Sequence, residues 1–360
     1  MRITQGMIQN SSLNTMYNNM NKLNSLYNQM NTLKKIQRPS DDPIIAGRSL
    51  KLRLNVMESE QHASNVDEAV SWMSVTEAAL KNTTEMIKDI RTRAVQASNG
   101  VLTTEDRNKI VSDMKQLYGQ LKQESNVTYA GRYVFSGYKT DQPVFLEKAT
   151  KLDKEVELKA DMRLVEDMTA AEDMIIDGTT IAKGDTIPKG TVIPAGTTLP
   201  AGTELPAGTL NPNIHGYTAE QKIEYEIGVN NTLDVNTLGM PEMMNSLLTN
   251  IEDMISTISD PDVTDEELNK MFSGMIEQMD DRLKETSIMT ADLGSKQNRL
   301  EYTQSRLNDD KTNYTELLSN TEDVDLEEVY VEFNTQYMIY QSGLQATSKV
   351  IMNTLADFLR

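Results

Sequence analysis

Leu13-Asn14-Thr15-Met16-Tyr17-Asn18-Asn19-Met20-Asn21-Lys22-Leu23-Asn24-Ser25-Leu26-Tyr27-Asn28-Gln29-Met30 spaces its apolar side chains three and four residues apart, at Leu13, Met16, Met20, Leu23, Tyr27 and Met30. That alternation is a coiled-coil seam, and Leu26 and Leu33 widen the stripe. The residues between are largely Asn, a modest helix former, so this helix needs a partner. The other chain end offers one. Leu326, Val329, Phe333, Tyr337, Tyr340, Leu344, Thr347, Ile351, Leu355 and Phe358 repeat the pattern over a similar length. The two ends are expected to pack antiparallel as a stalk. The candidate assembly interface is Leu13, Met16, Met20, Leu23, Tyr27 and Met30 with Phe333, Tyr337, Tyr340, Leu344, Ile351, Leu355 and Phe358.

Arg38-Pro39-Ser40-Asp41-Asp42-Pro43 ends the first helix and starts a second, with an Asp N-cap and Pro at the first helical position. The second runs long, to a stop near Asn99-Gly100, and Thr103 caps a third through Leu121. The period then changes. Tyr133 with Phe135, and Val144 with Phe145, read as strands, and Ile223 to Val235 reads as a hairpin around two Asn. Helix returns at Pro241 to about Ser259, and Thr264-Asp265-Glu266-Glu267 is a capping box for the next. Between these helical parts lies a repeat: IIDGTT, IAKGDT, IPKGTV, IPAGTT, LPAGTE, LPAGTL, six hexads over residues 175–210. A bulky aliphatic and a Gly in every hexad predict a strand–turn unit stacked as a small β-solenoid of about two coils. The fold is thus expected to be mainly α with a β insertion. A long antiparallel helical trunk comes from both chain ends, and a small outer β-rich domain carries the hexads. The expected domains are 1–42 with 325–360 (terminal coiled coil), 43–146 with 217–324 (helical trunk with hairpins) and 147–216 (inserted module).

Composition narrows the chemistry. The 360 residues contain no Cys, which excludes disulfides and thiolate chemistry, and only two His, which leaves little for triads or multi-His metal sites. The mean hydropathy is −0.49 and no apolar run approaches a membrane span. The start, Met1 to Gly6, has no apolar core of the kind a secretory signal needs. A net charge of −19 argues against nucleic acid and anionic membranes. It is unevenly spread: residues 1–57 hold eight Lys or Arg against Asp41 and Asp42, giving +6 and leaving −25 for the rest.

Hexads also build left-handed acyltransferase helices, but those need more coils and a catalytic His, and His215 lies beyond the last hexad. His62 reads as a surface residue on a helix. Asp280-Asp281, Asp309-Asp310 and Glu322-Asp323-Val324-Asp325 lack the spacing of a calcium loop and read as solvated faces and caps. Trp72 reads as core. No catalytic, cofactor or metal site is expected, and the protein is not expected to be an enzyme.

Several motifs in order resemble the bacterial flagellin superfamily. Asp41-Asp42-Pro43-Ile44-Ile45-Ala46 is similar to that family's turn between its first two helices. Asn65-Val66-Asp67-Glu68-Ala69 with Thr76-Glu77-Ala78-Ala79-Leu80 is similar to its second helix. Val95-Gln96-Ala97-Ser98-Asn99-Gly100 and then Asp106-Arg107 resemble the stretch that follows. Arg38-Pro39-Ser40, the run from Gly131 to Thr140, Pro143-Val144-Phe145 and the close Asp357-Phe358-Leu359 resemble the family's members at the hook–filament junction. The resemblance covers about 1–146 and 217–360 and leaves the hexads unmatched. It implies a structural protein exported unfolded through the flagellum's type III channel, with help from an export chaperone. It implies a ring of identical subunits whose termini line the tube, flanked by a hook-side junction protein and by flagellin, outside the cell. A filament subunit is the alternative it leaves.

Overall fold

The computed structural model describes residues 5–98, 103–158, 160–214, 222–259 and 265–358. Six helices carry most of the chain: α1 (Gln5–Thr32), α2 (Pro43–Ser98), α3 (Thr104–Ser125), α4 (Met240–Ser259), α5 (Asp265–Glu322) and α6 (Leu326–Phe358). The expected stop at Asn99-Gly100, the capping box at Thr264 and His215 lie outside the described residues. The chain forms two compact units, one of residues 1–61 with 306–360 and the other of 62–305.

The long helices carry strict seven-residue repeats. On α2, Leu52, Ser59, Val66, Met73, Leu80, Ile87 and Ala94 are buried at every seventh position; on α5, Phe272, Met279, Thr286, Leu293, Leu300 and Leu307 are. A heptad held this long keeps one face of a slightly underwound helix on its neighbour. Within the first unit, Glu60 meets Lys311 at 3.0 Å. Within the second, Asp67 meets Gln304 at 3.0 Å, and Arg91 grips both oxygens of Asp280 at 2.6 and 3.0 Å. Ascending numbers on α2 meet descending numbers on α5, so the two run antiparallel. Trp72 is core, its ring edge-on to Tyr129 at 6.0 Å. Thr103 caps α3 by accepting from the Asp106 N–H at 3.2 Å.

Apart from the hairpin at the first hexad, the hexads pair with the segment before them rather than with one another. The second unit holds β1 (Thr128–Tyr129), β2 (Arg132–Tyr133), β3 (Thr150–Lys151), β4 (Val156–Glu157), β5 (Met162–Arg163), β6 (Met168–Thr169) and β7 (Met174–Ile176). It continues with β8 (Thr179–Ile181), β9 (Thr186–Ile187), β10 (Val192–Ile193), β11 (Thr198–Leu199), β12 (Glu204–Leu205), β13 (Glu224–Gly228) and β14 (Asn231–Asp234). Strands β8 to β12 come from the hexads, and each pairs antiparallel with a strand of the preceding arm: β8 with β7, β9 with β6, β10 with β5, β11 with β4, β12 with β3. The expected solenoid is therefore a two-stranded ribbon. Its register never slips, from Phe145 opposite Leu210 through Arg163 opposite Val192 to Ile175 opposite Thr180. The ribbon turns at Asp177-Gly178, both in the left-handed region that a tight hairpin requires.

The reason is a second six-residue period in the leading arm. Leu152, Leu158, Leu164 and Ala170 are buried at one position of the repeat, and Met162, Met168 and Met174 at another. Asp161, Asp167 and Asp173 occupy a third, and their carboxylates accept from the backbone N–H of Ala195, Lys189 and Lys183 at 2.9, 2.7 and 2.8 Å. Three successive hexad turns are thus capped from the opposite arm. The turn itself closes by a hydrogen bond such as Thr191 N–H to Pro188 carbonyl, 3.2 Å, with left-handed Gly190 third in the turn. The ribbon also coils: β12 comes back beside β6, three rungs further along.

Candidate assembly interface

The first unit is built on the pairing of α1 with α6. Asn19 Oδ1 accepts from Gln336 Nε2 at 3.3 Å, Lys22 meets Glu332 at 3.5 Å, and the Tyr27 and Phe333 rings lie 6.5 Å apart, an antiparallel order. The covered positions are Met16, Asn19, Leu23, Leu26 and Met30 on α1, and Val329, Phe333, Gln336, Tyr340, Gly343 and Thr347 on α6. This seam differs from the apolar stripe in one respect. A polar pair, Asn19 with the buried Gln336, sits inside it, and such a pair penalises sliding to another register. Of the candidate interface residues, Met16, Leu23, Met30, Phe333 and Tyr340 line the seam. Leu13, Met20 and Tyr27 stand beside it, as do Tyr337 and Leu344, and all five are exposed. The side chains of Ile351, Leu355 and Phe358 lie outside the described residues.

The flanking residues have a regularity of their own. Leu13, Met20 and Tyr27 are seven apart on α1; Tyr330, Tyr337 and Leu344 are seven apart on α6. Each set follows one residue after a seam position. In an antiparallel pair these equivalent rows share a flank, so the pair carries a second apolar strip whose side chains stay exposed.

At the turns, the first unit is locked by charge. Left-handed Leu33 ends α1. Lys35 N–H donates to the Glu322 carbonyl at 2.7 Å and Val324 N–H to the Leu33 carbonyl at 3.1 Å, tying the α1–α2 turn to the α5–α6 turn. The Glu322 carboxylate beneath them is 3% exposed. It accepts from Ser49 Oγ at 2.9 Å and from Arg53, whose Nε lies at 3.1 Å and whose second nitrogen is also in contact, with Lys34 Nζ at 3.5 Å. Asp323 takes Lys34 at 2.7 Å and Ser319 Oγ at 2.6 Å. Glu322 is thus a buried ion-pair centre rather than the solvated residue its sequence cluster suggests; only the spatial return of Ser49 and Arg53 to it reveals this. Asp325 does act as a cap, accepting from Glu327 N–H at 3.0 Å. Asp42 Oδ1 accepts from Ile44 and Ile45 N–H at 2.9 and 3.0 Å, and Pro43 follows, which accounts for the Asp-Asp-Pro motif.

Burial opposes ionisation of Glu322, but its bonds to Arg53 and Ser49 outweigh that and hold its pKa below the usual value; Lys34 does the same for Asp323. Folded pKa values below the unfolded ones mean stability that is complete at neutral pH and lost as pH falls through the carboxylate range. Glu322→Gln is therefore expected to destabilise the first unit by about 1–3 kcal/mol at pH 7, since Arg53 keeps partial access to water. Between pH 7 and about pH 3, on the acid side of the ordinary glutamate pKa, the gap between variant and parent should narrow, since the depressed carboxylate gives up its advantage as it protonates. Chemical denaturation followed at both pH values checks this, and an equal gap at both would refute it.

Elsewhere the chemistry is sparse. His62 is half-buried, with Nδ1 3.4 Å from the Glu226 carbonyl. Among the described residues no group of three His, Asp or Glu could hold a metal ion, and no helix is long and apolar enough to cross a membrane.

A family model for the bacterial flagellin N-terminal helical region matches residues 3–140, and one for the bacterial flagellin C-terminal helical region matches 276–358. The chain belongs to the bacterial flagellin superfamily. Within that superfamily it is 30% identical over 152 residues to flagellar hook-associated protein 3 of Escherichia coli, which is 42% of this chain and 48% of that one. It is 30% identical over 128 residues to a flagellin of Clostridium tyrobutyricum, 36% of this chain and 34% of the relative. The chain thus spans about half the length, or less, of these curated relatives. A solved structure of a candidate flagellar hook-associated protein from Vibrio parahaemolyticus superposes over 79% of this chain and all of that one, with a TM-score of 0.52 at 16% identity, a likeness of fold. Both matched regions hold the long antiparallel helices, and the hexad ribbon lies between them.

Proposed function

We propose that this superfamily member is a structural subunit of the flagellum that forms the ring joining hook to filament, a mechanical adaptor between a flexible tube and a stiffer one. The observation that carries the reading is the pairing of both chain ends along α1 and α6, with an apolar strip left over on one flank. A subunit that spends both termini on one rod with an uncovered apolar row is made for packing beside copies of itself. The relative named for hook association and the junction-type motifs Arg38-Pro39-Ser40 and Gly131 to Thr140 favour the junction over the filament. On this reading the candidate interface residues are buried between copies, 1–42 with 325–360 lines the tube, 43–146 with 217–324 forms the trunk, and 147–216 faces outward. The neighbours are a hook-side junction protein and flagellin, and the subunit travels unfolded through the flagellar type III channel with an export chaperone. The flagellin relative keeps the filament subunit as a second reading. Electron microscopy of flagella bearing gold-labelled protein separates the two: one band at the hook tip is expected, and label along the whole filament would overturn the junction reading.

A further inference from the structure

Gly47 lies in the first turns of α2, where a glycine costs about 1 kcal/mol relative to alanine. A Cβ built on it would meet nothing within 4 Å, so no intrachain contact requires its smallness. It lines a cavity of about 380 Å³ together with Ile36, Pro39, Pro43, Leu50, Arg53 and Glu322. From the mouth an apolar row continues along α2 through Leu54 and Met57, which are 50% and 64% exposed. Exposed cations, Arg38, Arg48 and Lys51, rim this face.

A complement exists on another helix. On α6, Tyr330 is 56% exposed, with exposed Leu326 one turn before it and exposed Glu327 and Glu328 alongside. The shape and the charge both match. The cavity volume is enough for a phenol ring, Arg53 and Glu322 in its lining offer a hydroxyl polar partners, and the exposed Glu327 and Glu328 of α6 are opposite in charge to Arg38, Arg48 and Lys51. We infer that the Gly47 cavity receives Tyr330 of a second copy of this chain. The inference rests on the ring reading and names the contact that builds it. Cavity and knob are different surfaces, so each copy both gives and takes. Such head-to-tail contacts close into rings when the rotation per copy allows.

The test uses intact flagella. The native chain has no cysteine, so Leu54→Cys with Glu327→Cys, exposed positions that leave the cavity lining and Tyr330 intact, introduce the sole thiols of the protein. A short bismaleimide should join the double variant into dimers and a ladder of larger species, while either single variant stays monomeric. Gly47→Leu fills the cavity without harming the helix. It should keep or raise the melting temperature while its amount in flagella falls by about tenfold, as expected when one buried side chain at a contact is excluded. If the double variant is present in flagella and yields monomers alone, or Gly47→Leu is incorporated like the parent, the Tyr330 contact is wrong and the ring survives. If the parent protein itself is absent from flagella, the ring reading falls with it.

Discussion

Leu23→Asp is expected to abolish incorporation of the protein into flagella. Leu23 sits in the α1–α6 seam among Asn19, Leu26 and Phe333, so the substitution places a carboxylate where no cation of the seam can meet it. Leu23 is half-buried, so a carboxylate there loses part of its hydration and the seam loses an apolar contact, together a cost on the order of 1–3 kcal/mol. The second unit, which lacks this seam, should keep its melting transition to within a degree or two. A strain making only the variant should shed or lack filaments, and labelled variant should be missing from hook tips. Normal incorporation would show that the seam is not needed for assembly.

The opposite sign is expected at Lys122. Its ammonium lies 4.6 Å from the Tyr118 ring centre and 5.9 Å from that of Phe145, on the side of α3 that meets the ribbon. A Cβ on left-handed Gly208 would stand 2.9 Å from it. Burial pushes its pKa down to about 8, against a smaller upward pull from Glu252, and Lys189 adds to the fall. The folded state therefore holds the proton less firmly than the unfolded chain. Stability is lowered in full below about pH 8 and recovers as pH climbs toward the ordinary lysine range. Lys122→Met keeps the stem's contacts and removes the charge. It should stabilise the second unit by about 2–3 kcal/mol at pH 7, raising its melting temperature by about 5 °C. The gain should shrink steadily between pH 8 and 10. A pH-independent gain would mean that packing, not desolvation, is responsible.

Most of the helical architecture is legible in the sequence, because it rests on local signals. Three-four and seven-residue spacing, Asp42-Pro43 and Thr103 are each read from a few neighbouring residues, as is the hairpin of β13 and β14. What escapes are facts that depend on chain segments far apart. The leading arm of the ribbon has the hexad period at its Leu, Met and Asp positions, but it lacks the Gly and Pro that announce the returning arm. Its Asp161, Asp167 and Asp173 look like surface acids until they are seen capping turns up to 34 residues away. Asn19 and Gln336 are invisible to a search for apolar stripes, though they occupy its centre. Tyr337 and Leu344 look like seam residues because α6 has apolar residues on more than one face. Glu322 reads as solvent-facing because its partners, Ser49 and Arg53, lie 273 and 269 residues away.

The pairing of the ribbon sets a rule for how this protein can change in size. Because Phe145 faces Leu210 at its base and every later rung keeps register, the chain departs and returns at one place whatever happens beyond it. Deleting or duplicating a single hexad would leave one arm longer than the other and offer each aspartate the wrong turn. Removing twelve residues, six from each arm opposite one another, would preserve every remaining pair. Length variants among natural relatives that carry this ribbon should therefore differ by matched insertions on both sides of the Asp177-Gly178 turn. The tip is free to drift in evolution, while its anchorage is not: Asn126 at the end of α3 donates to the Phe145 carbonyl at 2.8 Å, and Asn245 of α4 donates to the Asp161 carbonyl at 2.7 Å.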